Sequence, residues 1–169
     1  VIEEIDNSVC MIMEAIREND LDKNTIVVFT SDNGPWLSYG THSGSTGIYR
    51  EGKGTTWEGG QRVPCIVWYP KEIKAKSEIS NPLMGIDWVP TFASVTKSKL
   101  SNNKIDGKNI WPTLTLESEE DPHEALFFYY HVNSLHGVRY GDWKMYFPHR
   151  YRTLNGKEGR DDGKPIKYE

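Results

Sequence analysis

Thr25-Ile26-Val27-Val28-Phe29-Thr30-Ser31-Asp32-Asn33-Gly34-Pro35 is the stretch whose reading decides the fold. A β-branched and aromatic run ends in two oxygen-bearing side chains, and glycine and proline then stop it. The run lacks polar alternation, which predicts a strand buried on both faces of a covered sheet. Asp32 and Asn33 then fall at the carboxyl end of that strand. In open α/β sheets this edge is where ligands bind. Asp-Asn-Gly is also a common turn sequence, so the pair alone reads either as a turn or as ligands.

Upstream, Ile2, Ile5, Val9, Ile12 and Ile16 recur at helical spacing, with Glu3, Glu4, Asp6, Glu14 and Arg17 between them. This predicts an amphipathic helix packed on a sheet. Asn19 and Asp20 end it, and Leu21 to Asn24 link it to the strand. Helix, short link and strand make half of a βαβ unit, so the fold class is α/β.

Downstream, residues 36–62 form a long loop rich in glycine, serine and threonine. Trp36, Tyr39, Tyr49 and Trp57 argue against a plain flexible linker, and such a loop is expected to fold back over a site. Inside it stands Gly52-Lys53-Gly54-Thr55-Thr56-Trp57-Glu58-Gly59-Gly60. A lysine between two glycines can approach a sulfate or phosphate closely with a compact, three-donor charge. It is not a Walker loop, because Gly54 follows the lysine. On its own, Gly-Lys-Gly is more often a solvated turn.

Cys65-Ile66-Val67-Trp68-Tyr69-Pro70 reads as a second buried strand, and Lys71 to Ser80 as a polar connection. Ile86 to Val95 reads as a helix with Pro90 in its first turn and Asp87 at its start. Lys97 to Pro122 reads as a polar loop with one apolar patch at Ile110-Trp111-Pro112. Ala125 to Tyr130, Leu135 to Tyr140 and Trp143 to Phe147 are strand-like, with turn signals between them. They predict a small antiparallel sheet, with His131, His136 and Arg139 near it. Asn155 to Glu169 reads as a loop. The domain division expected is 1–122 for the α/β part and 123–169 for the start of the antiparallel subdomain.

The chain has 169 residues, 37% hydrophobic and 26% charged, enough for a packed core. A net charge of −4 without a long basic run speaks against nucleic acid as a partner. No apolar run is long enough to span a membrane. The chain begins at Val1, inside a helical pattern, and is expected to be an internal piece of a longer protein. Cys10 and Cys65 are expected to be small core residues.

Asp32-Asn33-Gly34-Pro35, followed by Gly52-Lys53-Gly54-Thr55-Thr56-Trp57-Glu58-Gly59-Gly60-Gln61-Arg62-Val63-Pro64, closely resembles the arylsulfatase family of type I sulfatases, in the alkaline-phosphatase-like group. Gly85-Ile86-Asp87-Trp88-Val89-Pro90-Thr91-Phe92 and Phe147-Pro148-His149-Arg150-Tyr151-Arg152-Thr153-Leu154 look like further stretches of that family. The resemblance implies the C-terminal portion of a sulfatase catalytic domain: a mixed sheet between helices, then a small antiparallel subdomain. It implies that Asp32 and Asn33 ligate one calcium ion, with magnesium as the other option. It implies that Lys53 is catalytic and contacts the sulfate, and that His131 faces the organic part of the substrate. The donor chemistry agrees, because carboxylate and amide oxygens suit hard cations.

Such sulfatases use a formylglycine made from the Cys or Ser of a Cys/Ser-x-Pro/Ala-x-Arg motif, which this chain lacks. The nucleophile and the other metal ligands are therefore expected upstream, and the 169 residues alone are expected to be inactive. The partners implied are a sulfated small molecule, lipid or glycan and a formylglycine-generating enzyme. A periplasmic, secreted or lysosomal setting goes with the resemblance. The alternatives are a phosphate-ester hydrolase of the same superfamily and a sulfated-glycan-binding protein that has lost its nucleophile.

Overall fold

The computed structural model describes all 169 residues, Val1–Glu169. The chain is mixed α/β and divides into two compact units, each made of two stretches of sequence. Val1–Phe29 joins Ile66–His123, and Thr30–Cys65 joins Glu124–Glu169.

In the first unit, α1 (Ile2–Glu18) carries Glu3 and Glu4 in its first turn and Arg17 in its last, each favourable to the helix dipole. Asn19 closes it, its side-chain amide donating to the Ala15 carbonyl at 2.8 Å. Strand β1 (Val27–Thr30) is the hydrogen-bonded neighbour of β2 (Cys65–Trp68). The two-sided burial expected of these strands is not found. Val27 and Val28 are half-buried, while Phe29 and Ile66 are exposed. The sheet is two strands wide, and α1 itself has no buried residue, so the faces that the apolar pattern marks out stay open in this chain. For the same reason Cys10 and Cys65 are exposed free thiols rather than the core residues expected.

The core of this unit lies further on, around α2 (Trp88–Val95) and α3 (Trp111–Leu114). Asp87 enters α2 through a short 3-10 turn and is completely buried. Its carboxylate accepts the Met84 N–H at 2.8 Å and the Lys108 N–H at 2.9 Å, and it pairs with His123 Nε2 at 2.8 Å. The Thr91 hydroxyl donates to the Asp87 carbonyl at 2.6 Å and accepts the Ile110 N–H at 3.0 Å. Ile110, in the stretch read as a polar loop, is 1% exposed and packs in the core with Leu114 and Tyr69 buried beside it in the same unit.

In the second unit, β3 (Leu126–Tyr130), β4 (Ser134–Tyr140) and β5 (Trp143–Tyr146) form an antiparallel sheet in the order β3-β4-β5. Leu126 faces Arg139, Arg139 faces Lys144, and a bulge falls between Phe128 and Tyr129. His131 and Val132 turn the chain between β3 and β4 with positive φ. The long loop of residues 30–65 belongs to this unit. The residues after 155 have no regular structure but are docked. Thr41 donates its N–H and its hydroxyl to Asp161 at 2.9 Å each, which holds that carboxyl below its ordinary range.

Candidate active site

The loop after β1 doubles back so that two backbone segments cross. The Gly34 N–H donates to the Gly60 carbonyl at 3.0 Å, and the Lys53 N–H donates to the Pro35 carbonyl at 2.9 Å. A Cβ on Gly34 would fall onto the Gly59 carbonyl oxygen, and one on Gly60 would lie 2.5 Å from the carbonyl oxygens of Gly52 and Thr55. Only glycine fits at this crossing, and the crossing carries Asn33 and Lys53 to one place.

The sheet holds the loop from the other side. Lys144 Nζ donates to Glu58 Oε1 at 2.7 Å and to the Thr56 carbonyl at 2.9 Å. The Tyr146 hydroxyl donates to the same carbonyl at 3.1 Å, and its ring stacks on Trp57 with centroids 3.9 Å apart. Arg50 lies over the far ring system of Trp57, 3.9 Å from its centroid, and donates to the Tyr151 hydroxyl at 2.6 Å. Burial lowers the Lys144 pKa from its ordinary value, with the Glu58 carboxylate pulling the other way. Burial, with Glu58 close by, pushes the Tyr146 phenol up to about 12. The turn bearing Lys53 is thus anchored by a partly buried ion pair and an aromatic stack.

Between these parts lies a cavity of about 230 Å³ lined by Asn33, Trp36, Lys53, Gln61, Tyr130 and Arg152, together with Gly54 and Gly60. No carboxylate lines it. Lys53 has no acidic partner, and its ammonium sits 5.4 Å from the Trp36 ring centroid. The structure brings Asn33 and Lys53 together here. Asp32 is exposed beside Asn33 and does not line the cavity, and His131 lines a neighbouring one. Trp36 is one of the loop rings expected near a site, whereas Gln61, Tyr130 and Arg152 were given no role from the sequence. Gln61 and Arg152 nevertheless fall in stretches that carry the family resemblance.

As a metal centre the chain supplies part of a set. No group of three His, Cys, Asp or Glu side chains is arranged to hold a metal ion. The Asp32 carboxylate and the Asn33 amide oxygen are hard donors that no side-chain hydrogen bond claims. They fit two of the six to eight oxygen positions of a calcium ion. Neither thiol suits a nucleophile: the Glu14 hydrogen bond raises Cys10, burial raises Cys65, and neither lines the cavity.

Comparison with known proteins shows the family of the chain. The sulfatase family profile matches residues 1–98. The chain belongs to the sulfatase family. This sulfatase-family chain is 38% identical over 146 residues to the arylsulfatase of Hemicentrotus pulcherrimus, a match covering 85% of this chain and 26% of that protein. It is 37% identical over 158 residues to the steryl-sulfatase of Homo sapiens, covering 86% of this chain and 27% of that one. Among solved structures, Ps i-CgsB in complex with k-i-k-neocarrahexaose superposes with a TM-score of 0.72 at 30% identity, over 88% of this chain and 33% of the other. The PsFucS1 sulfatase from Pseudoalteromonas sp. shares the fold, with a TM-score of 0.81 at 24% identity over 97% of this chain and 33% of its own. The sulfatase resemblance read from the Asp-Asn-Gly and Gly-Lys-Gly motifs is borne out, as is the α/β fold class. The chain spans about a quarter of the length of the curated relatives it matches.

Proposed function

We propose that this chain is the anion-binding and metal-binding part of a sulfuric ester hydrolase. The observation that carries the reading is the cavity itself: Lys53 and Arg152 share it with Asn33, and no carboxylate opposes them. A sulfuryl group of the ester fits the two cations. The Lys53 ammonium faces an oxygen on which negative charge grows as the S–O bond breaks, and it is already in place before reaction. Arg152 presents a planar fork of donors to the remaining oxygens. Trp36 and Tyr130 exclude water from one side of the cavity, which strengthens both attractions. Asp32 and Asn33 would hold a calcium ion, or magnesium, beside this cavity. When bound, that ion polarises a sulfuryl oxygen as a Lewis acid. The nucleophile, a formylglycine in this reading, comes from chain outside these residues, since no motif that could be modified occurs within them. Relatives named as arylsulfatase and steryl-sulfatase support an organic sulfate as substrate. A periplasmic, secreted or lysosomal setting accompanies the proposal.

The test uses the full-length protein co-produced with a formylglycine-generating enzyme. Hydrolysis of 4-methylumbelliferyl sulfate is compared with that of the matching phosphate, for wild type and Lys53→Ala. Preference for the sulfate is expected, with kcat reduced about 10²- to 10³-fold in the variant. Preference for the phosphate would move the chain to the phosphatases of the superfamily. Binding of a sulfated glycan without turnover of either ester would make it a lectin-like protein.

A further inference from the structure

A second cavity, of about 220 Å³, opens beside the first and shares Gly54, Tyr130 and Arg152 with it. The rest of its wall is His131, Arg150 and Tyr151. Lys53 lines the first cavity, Arg150 the second and Arg152 both, and no Asp or Glu lines either. In a chain of net charge −4 this is a local reversal of sign. Neither Arg150 nor Arg152 is paired with a carboxylate, and neither guanidinium is engaged in a side-chain hydrogen bond. Arg50, by contrast, is committed to Trp57 and to the Tyr151 hydroxyl.

The walls are fixed. Tyr151 is held by Arg50 at 2.6 Å, and the Tyr130 ring meets the His131 ring edge-on with centroids 4.5 Å apart. His131 itself sits in the left-handed region, at φ 48°, in the turn leaving β3. Its ring, in edge contact with Tyr130, lines the second cavity. Two tyrosine rings make a surface on which a sugar can lie, and the unpaired guanidinium of Arg150 supplies planar donors for an anion carried by that sugar.

We infer that the second cavity is a subsite for a second anionic group, a sulfate or carboxylate on the same glycan whose scissile sulfate occupies the first. This rests on the sulfatase reading and narrows its substrate class to glycans with at least two anionic groups. The first group is bound by Lys53 and Arg152, the second by Arg150, with His131 as a further donor.

The experiment uses the full-length enzyme and three probes: 4-methylumbelliferyl sulfate, a monosulfated disaccharide of neutral sugars, and the same disaccharide with a second sulfate. Wild type is expected to favour the disulfated over the monosulfated disaccharide by at least tenfold in kcat/KM, carried by KM. Arg150→Gln should reduce that preference to about twofold or less and leave turnover of 4-methylumbelliferyl sulfate within twofold. Arg150→Lys should restore part of the preference, because the charge returns without the planar fork. Equal kcat/KM for the two disaccharides in wild type would overturn the subsite while leaving the sulfatase reading intact. Equal losses on all three probes in Arg150→Gln would also overturn it, by making Arg150 a structural residue. Absence of turnover of every sulfate by wild type would remove the sulfatase reading and the subsite with it.

Discussion

Replacement of Lys144 by Met asks whether the turn bearing Lys53 is held in shape by the sheet. The Lys144 side chain is 12% exposed and that of Glu58 31% exposed, so the pair lies between the surface and buried cases. Breaking a buried pair from one side costs about 3–5 kcal/mol, whereas an exposed pair contributes about 0–1 kcal/mol. The Thr56 carbonyl loses one donor but keeps the Tyr146 hydroxyl, which limits the damage there. The ammonium also lies 3.7 Å from the Phe128 ring centroid, a contact worth about 1 kcal/mol that Met partly replaces by packing. The sum is a loss of about 2–3 kcal/mol. Urea unfolding of the full-length protein measures it. Hydrolysis of an aryl sulfate reads the position of Lys53, for which kcat should fall by tenfold or more, because small misplacements of a charged group are costly in catalysis. The double variant with Glu58→Gln should recover most of the stability, because the stranded carboxylate is then gone. A stability loss below about 0.5 kcal/mol together with unchanged kcat would refute the reasoning and leave the loop holding its own shape.

Two further outcomes follow from the same structure. Asp87→Ala should destabilise the protein by about 3–5 kcal/mol by stranding two backbone N–H groups and His123, measured by urea unfolding; Asp87→Asn should cost less, since it keeps an acceptor. Tyr146 binds its proton more tightly in the folded state, with a pKa near 12 against about 10 in an unfolded chain, so its contribution is complete below pH 10 and is lost as pH rises through 12. Unfolding midpoints measured from pH 9 to 12 should therefore fall more steeply for wild type than for Tyr146→Phe, and parallel curves would contradict this.

Helix α1, strand β1 and the three strands after Ala125 were legible because period and turn residues are local properties. Burial is not local. Val27 and Val28 look like the middle of a covered sheet, and Cys10 looks like a core residue, yet what covers a face is decided by other segments. Ile110 failed in the opposite direction, because a three-residue apolar patch in a polar stretch carries no period, although it is the most buried large side chain of the core. At the site, Asn33 and Lys53 were legible through two motifs that lie close in sequence. Arg152 and Tyr130 were not, since the cavity joins two segments of the second unit that the stretch Ile66–His123 separates in sequence. Lys144 reads as a solvent-facing strand residue, and only its tertiary partner Glu58 gives it a different role.

That partnership has a consequence for the order in which the protein is made. Glu58 and Lys144 are 86 residues apart, and Arg50 and Glu51 wait on Tyr151 and Thr153, 101 and 102 residues later. A ribosome adding about 5–20 residues per second needs about 4–17 s to cover the shorter of these spans. During that interval the glycine-rich loop has left the point of synthesis without the sheet that fixes it, while Ile66–His123 can already complete the other unit with the helix and strand made before the loop. The turn bearing Lys53 is therefore among the last parts of this chain to acquire its shape, and a transcript cut short before the codon for Lys144 leaves Lys53 on an unanchored loop.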